Sequence, residues 1–394
     1  MFAVLSTARK SLVKVTAVVS FLTLAACDPS MFPAPSSNGP SINTDKPIPV
    51  ALLVPYESAQ SADNSMAKSI ENAARLAMAD LDGVNIDLRV YATGGQAERA
   101  SAAATRAVTD GAKIILGPVY GGSAKLAGIP AANAGVNVLA FSNNPTVAGG
   151  NVFILGSTFD NTANRLVKYA SQNGKKRILV VNAQSPAEMA GATAIKTAIA
   201  RNGATFAGEK SFELSQQGVV QAISPIASAV RSSGADAVFF TSGNDGAMPL
   251  LAQMLPENGI KSPGTQYIGL QRWNFPASSV SLPGLQDSWF AIPDQRLVQN
   301  FSNRYTAAYG QAPHSLAGLA YDGIAAIGAL AKSGDSQALT KQALTRGSGF
   351  VGVNGIFRLK ADGTNERGLS VATIQNNQVI EIDPAPRTFG GAGF

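Results

Sequence analysis

Between residues 48 and 292, short apolar runs alternate with stretches whose apolar residues recur at helical spacing, and no other feature restricts the possible folds as tightly. Val50-Ala-Leu-Leu-Val54 lies between Pro49 and Pro55, and residues 65–81 follow with Met66, Ile70, Ala73, Ala74, Ala77 and Leu81 on one helical face. Strand-like runs at 86–91, 112–116 and 137–141 then alternate with helical stretches at 96–108 and 123–134. A second series places helices at 161–172, 187–201, 218–232 and 247–255 among strands at 177–181, 205–211, 235–240 and 266–270. Repeated strand, helix, strand requires crossover connections and therefore a parallel sheet. Strands with no wet face must be covered on both sides. The predicted class is α/β: two doubly wound parallel-sheet lobes enclosing an interlobe cleft. Pro225 is expected to kink or split its helix. Beyond Trp289 the reading gives helices at 297–309 and 315–331, then a closing hairpin of 355–360 with 370–374 through Asp362-Gly363.

The amino end reads differently. Arg9, Lys10 and Lys14 precede a charge-free run, 15–26, that ends in small residues, as in a secretory signal peptide. Cys27 follows at once and is the single cysteine of the chain, so no internal disulfide can form. Leu24-Ala25-Ala26-Cys27 resembles the lipobox of bacterial lipoproteins, which implies lipidation at Cys27 and a periplasmic, membrane-anchored location; Asp28 points to the inner membrane. Residues 28–46 hold Pro29, Pro33, Pro35 and Pro40 among Ser, Asn and Gly, a tether composition.

Charge and chemistry exclude several classes. Three of the 31 basic residues lie in the signal segment, and 25 acidic residues oppose the rest, so no basic surface calls for nucleic acid. One histidine, His314, and one cysteine cannot build a Ser-His or Cys-His arrangement or a zinc cluster. The reading is therefore non-enzymatic, with no cofactor and no metal.

Pro49-Val-Ala-Leu-Leu-Val-Pro55, Ile115-Leu-Gly-Pro118 with its glycine-rich turn, and Ala134-Gly-Val-Asn-Val-Leu-Ala140 resemble the first lobe of type I periplasmic solute-binding proteins. The likeness runs from about residue 48 to 382, and branched-chain amino acid receptors are its best-known members. It implies a small-molecule ligand, an ABC permease as partner, and three crossings between lobes, here near 155–158, 291–294 and 347–354. The resulting division is a signal peptide (1–26), a tether (27–47), a first lobe (48–156 with 293–348), a second lobe (157–292 with 349–385) and a tail (386–394).

In open parallel sheets ligands sit beyond the carboxyl ends of the strands. The candidates are therefore turns: Tyr56, with Glu57 and Ser58, after the first strand; Tyr120, Gly121, Gly122 and Ser123 at a helix start that could receive a carboxylate; and Phe141, Ser142 and Asn143, which correspond to a ligand-contacting stretch of the family. In the second lobe the candidates are Gln271, Arg272 and Trp273, where the receptors carry an acid for the ligand ammonium. Ser185-Pro-Ala-Glu-Met189 stands where they carry Tyr-Gly. A second resemblance remains open: 352–367 and 369–374 look like the closing part of lipoproteins that activate penicillin-binding proteins, which would make a peptidoglycan synthase the partner.

Overall fold

The computed structural model describes residues 39–389, which form one compact unit. The signal peptide, Cys27 and residues 390–394 lie outside the described residues.

Five parallel strands build the first sheet: β1 (Ile48–Val54), β2 (Ile86–Ala92), β3 (Ile114–Leu116), β4 (Asn137–Ala140) and β5 (Val152–Ile154), in the order β2-β1-β3-β4-β5. Alternate β1 residues serve opposite faces, as a pleat requires. Val50, Leu52 and Val54 pack with Met66 and Ile70 of α1 (Ser61–Ala79), whereas Ala51 and Leu53 pack with alanines of α2 (Ala97–Thr109) and α3 (Gly121–Asn133).

The second sheet repeats the plan. β6 (Arg177–Ala183), β7 (Thr205–Phe212), β8 (Ala237–Phe240), β9 (Gln266–Gly269) and β10 (Trp289–Ile292) are parallel; β14 (Ser370–Gln375) and β15 (Gln378–Asp383) extend the sheet antiparallel, in the order β15-β14-β10-β9-β8-β6-β7. Leu179 and Val181 face α6 (Gln216–Ser233) and α7 (Met248–Glu257); Ile178 and Val180 face α4 (Phe159–Gln172) and α5 (Pro186–Arg201). Helix α6 is continuous through Pro225, with Val219, Ile223, Ile226, Ala227 and Val230 buried along one stripe. The burial of that stripe outweighs the one hydrogen bond a proline removes.

After β10 the chain returns to the first lobe through α8 (Gln295–Tyr309) and α9 (Ala317–Ala331); Phe301, Tyr305 and Ala317 pack on Ala73 of α1. The closing segment differs from the sequence reading in two ways. Strand β12 (Gly355–Leu359) pairs with β11 (Phe350–Gly352) and β13 (Asn365–Arg367) in a small sheet of its own, while β14 pairs with β10 and β15. Phe350, Phe357 and Leu359 belong to the first-lobe core, and Leu369 and Val371 to the second. The last passage between lobes therefore falls at 367–369 rather than 347–354, because three aromatic and aliphatic side chains anchor the small sheet to the first lobe.

Buried polar groups bind these passages together. Asn365 Nδ2 donates to the carbonyls of Ile154 and Gly156, both 2.8 Å, and Asn161 Nδ2 of α4 donates to Asn365 Oδ1 at 2.7 Å. Arg367 Nε donates to Leu155 O (2.8 Å), and its Nη1 lies 3.1 Å from Asp322 Oδ2 of α9. Asp322 is wholly buried and also accepts from Val353 N at 2.7 Å.

Candidate functional site

The first sheet reverses its order at β1, between β2 and β3, and in such sheets the crevice opens beyond the carboxyl ends at that point. The turns after β1 and β3 meet there. Gly117 has φ +85°, and a Cβ on it would come 2.2 Å from Leu53 O, so the two turns approach to a distance that only glycine tolerates. Tyr120 precedes α3 with no side-chain cap, leaving the first N–H groups of α3 without intrahelical partners. Its hydroxyl donates to Asp63 Oδ1 at 2.5 Å, and Ser58 Oγ donates to Asp63 Oδ2 at 2.8 Å. Burial and then the Asp63 bond push the Tyr120 phenol up to about 12. Beside Gly121 stand Ser142 Oγ and Asn144 Nδ2, 3.5 and 3.4 Å from where its Cβ would be. The structure thus gathers Tyr120, Gly121, Ser142 and the end of β4 around one helix start; Gly122 and Ser123 continue that helix, with Ser123 buried. Asn143 is exposed, and its side chain makes no hydrogen bond among the described residues.

Three first-lobe candidates point elsewhere. Tyr56 turns its hydroxyl to Glu71 Oε2 of α1 (2.7 Å); burial, then that bond, raises its pKa. Phe141 is 2% exposed and sits in the first-lobe core, so only its backbone borders the crevice. Glu57 is committed to an ion pair with Arg99.

The second sheet reverses at β6, between β7 and β8. Glu188, in the first turn of α5, holds this point together: its Oε2 accepts from Ala183 N (2.7 Å), Thr241 Oγ1 (2.8 Å) and Ser242 Oγ (2.7 Å). Trp273 is not available to a ligand. It is 0% exposed, its indole N–H donates to Ser242 O at 3.2 Å, and its ring fills the space a side chain at Gly269 would need. Arg272 is exposed, with only Asn274 Oδ1 at 3.4 Å from its Nε and no carboxylate partner among the described residues. Partial desolvation by neighbouring protein atoms lowers its pKa.

Sequence reasoning missed Asp245. This exposed carboxylate, on the turn after β8, has no hydrogen bond or ion pair among the described residues. Its Oδ1 lies 2.6 Å from where a Cβ on Gly243 would be, and the Gln271 side chain borders the same glycine at 3.5 Å. The signal was Thr241-Ser-Gly-Asn-Asp-Gly246, a turn sequence directly after the apolar run 237–240. Asp245 thus places a carboxylate on the turn next to the one after β9. No hydrogen bond or ion pair among the described residues joins the strand-end turns of one lobe to those of the other, and no group of three or more His, Cys, Asp or Glu there could hold a metal.

Residues 47–378 match the family described as periplasmic binding protein. No curated protein sequence matches the chain with significance. Solved structures with the same fold include a branched-chain amino acid ABC transporter periplasmic ligand-binding protein from Burkholderia xenovorans (16% identity, 86% of this chain, 94% of that one, TM-score 0.66). Another is an ABC transporter substrate-binding protein from Desulfitobacterium hafniense in complex with Leu (18%, 86%, 100%, TM-score 0.62). A third is a Rhodopseudomonas palustris solute-binding protein in complex with 3,4-dihydroxybenzoic acid (18%, 86%, 96%, TM-score 0.57). With two parallel-sheet lobes and a family match spanning both, the chain belongs to the type I periplasmic binding protein family.

Proposed function

We propose that the chain is the solute-binding component of an ABC transporter, held at the outer face of the cytoplasmic membrane by lipid on Cys27, and that it takes a small amino-acid-like or carboxylate solute between its lobes. One observation carries the reading. Arg272 and Asp245 stand on adjacent second-lobe turns as opposite charges, neither with a partner of opposite charge among the described residues. Both side chains are exposed, so water solvates them in the free protein and a ligand of opposite charge can take that water's place. A carboxylate on Arg272 and an ammonium on Asp245 would satisfy both, with Tyr120 and the start of α3 supplied by the first lobe. Relatives of the same fold that hold leucine and an aromatic acid support ligands of this size and charge.

A thermal-shift screen of amino acids and of carboxylates lacking an amino group tests it. Ligand at a hundred times its Kd should stabilise the folded state by about 2.7 kcal/mol. Asp245→Asn should weaken the amino acids selectively, and no shift across both panels would defeat the reading. The anchor is tested separately: Cys27→Ser should move the protein from the membrane to the soluble periplasmic fraction.

A second reading, contact with a peptidoglycan synthase, draws support from Met189, Leu214 and Phe275. Met189, in the first turn of α5, is 56% exposed, and Leu214 and Phe275, on the turns after β7 and β9, are 53% and 75% exposed. Stimulation of such a synthase by a protein that no small ligand stabilises would favour it.

A further inference from the structure

The start of α5 carries a carboxylate that serves the fold with one oxygen only. Ser185 caps this helix, its Oγ accepting from Glu188 N at 3.3 Å. A glutamate three residues past such a cap ordinarily reaches back to the N–H of the capping residue. Glu188 reaches past it to the ends of two strands: Oε2 accepts from Ala183 N (2.7 Å) at the end of β6, and from Thr241 Oγ1 (2.8 Å) and Ser242 Oγ (2.7 Å) just beyond β8. Helix α5 can lie this close because residue 191 is glycine; a Cβ there would stand 2.6 Å from Leu270 Cδ2 and 3.2 Å from Thr241 Cγ2. Three donors on one oxygen fix the carboxylate, yet Oε1 takes no hydrogen bond from any described residue. Nor is it among the buried atoms left without a partner, so it faces solvent, at the point where the second sheet reverses.

We infer that Glu188 Oε1 receives a second ammonium of the solute, so that the solute class is a basic amino acid rather than a neutral one or a simple carboxylate. The inference rests on the proposed function and sharpens it. With a carboxylate on Arg272 and an α-ammonium on Asp245, a neutral amino acid has no charge left for Glu188, which forms no ion pair among the described residues. Arg272, Asp245 and Glu188 together carry one net negative charge, and a solute with two ammonium groups and one carboxylate balances it.

Glu188 and Asp245 belong to one part of the second lobe. Ser242, which donates to Glu188, and Asp245 lie on the same tight turn, whose Gly246 and Met248 N–H groups both return to Gly243 O at 3.1 and 3.2 Å. The first lobe does not offset these acids. Asp63, bonded by Tyr120 and Ser58, has no ion pair among the described residues, and Arg99 is engaged by Glu57. A solute bearing carboxylates alone would set its charge against like charges, which is how a binding surface rejects a wrong partner.

Titration calorimetry of the full chain with L-lysine and L-ornithine, each against L-norleucine or L-norvaline, which lack only the terminal ammonium, tests the inference. At least one basic solute should bind about 30-fold or more tighter than its counterpart, the loss usual for a missing charge partner. Glu188→Gln keeps an oxygen for the three donors and puts an amide NH2 where Oε1 stood. It should leave the ligand-free melting temperature nearly unchanged and bring the two affinities together. A counterpart that binds wild type as tightly as its basic partner overturns the inference and leaves the proposed function standing, whereas no binding by any amino acid or carboxylate overturns both. The wild-type comparison does not depend on how the variant folds. An affinity ratio preserved in Glu188→Gln makes Glu188 a strut between β6 and β8 and likewise overturns the inference.

Discussion

Replacing Asp322 with asparagine keeps its shape and removes its charge. Asp322 is 0% exposed and faces Arg367 across 3.1 Å, and Arg367 Nη2 is buried with no hydrogen-bond partner. The substitution therefore leaves a guanidinium enclosed with no counter-ion. Breaking one side of such a pair typically costs about 3–5 kcal/mol. An unfolding entropy of about 2.1 cal/mol/K per residue, over roughly 350 folded residues, gives about 0.7 kcal/mol/K, so the melting temperature should fall by about 4–7 °C. Calorimetry of wild type, Asp322→Asn, Arg367→Met and the double variant forms a thermodynamic cycle. The double variant should recover part of the loss, because removing both charges also removes the unpaired one. If Asp322→Asn alone costs less than about 1 kcal/mol, the carboxyl is carried uncharged in the fold and the argument from pairing fails.

Other expectations are shorter. Arg272→Met should weaken binding of any carboxylate ligand about 30-fold or more, by the 2–5 kcal/mol usual for a lost charge partner, while leaving the ligand-free melting temperature nearly unchanged; titration calorimetry on the ligand found by screening decides. Trp273→Ala should cost about 3–5 kcal/mol in urea unfolding, as for any large core ring, even though its neighbour Arg272 is exposed. Gly117→Ala should reduce stability and close off the crevice, since its Cβ would meet a carbonyl and its φ is left-handed; melting and binding should both suffer. For Asp80, burial acts to raise the pKa, but bonds from Arg304 (2.5 Å) and Tyr321 outweigh it and leave the carboxyl below its ordinary range. Its stabilising share is thus present above an unfolded carboxyl pKa of about 3.9 and is lost as pH falls through the lower folded value. Wild type and Asp80→Asn should converge in stability toward strongly acid pH.

The two parallel sheets were legible because apolar runs in β1, β6 and β8 and helical spacing in α1 admit no other arrangement. The closing segment was not. Strands of three to six residues such as β12 and β14 carry alternation but no label for their partner, so a turn at Asp362-Gly363 was read as joining β12 to β14 when it joins β12 to β13. The site was half legible. Turn glycines marked the crevice of the first lobe, whereas Trp273 was misjudged because loop position does not determine burial. Gly269, four residues earlier, held the clue: the ring needs the volume a side chain there would take. Asp245 was not legible because its turn, Thr241-Ser-Gly-Asn-Asp-Gly246, carries no mark that sets its carboxylate apart from an ordinary turn residue.

The Asn161–Asn365 contact at 2.7 Å lies where the chain passes between lobes. Any swing of one lobe against the other that preserves this amide pair must turn about a line close to it, and points travel in proportion to their distance from that line. Gly156, which accepts from Asn365, donates its N–H to Ser142 O at 3.1 Å, so the Ser142 turn lies beside that pivot, and a spectroscopic label there would barely register a stroke that labels far from the line would record in full.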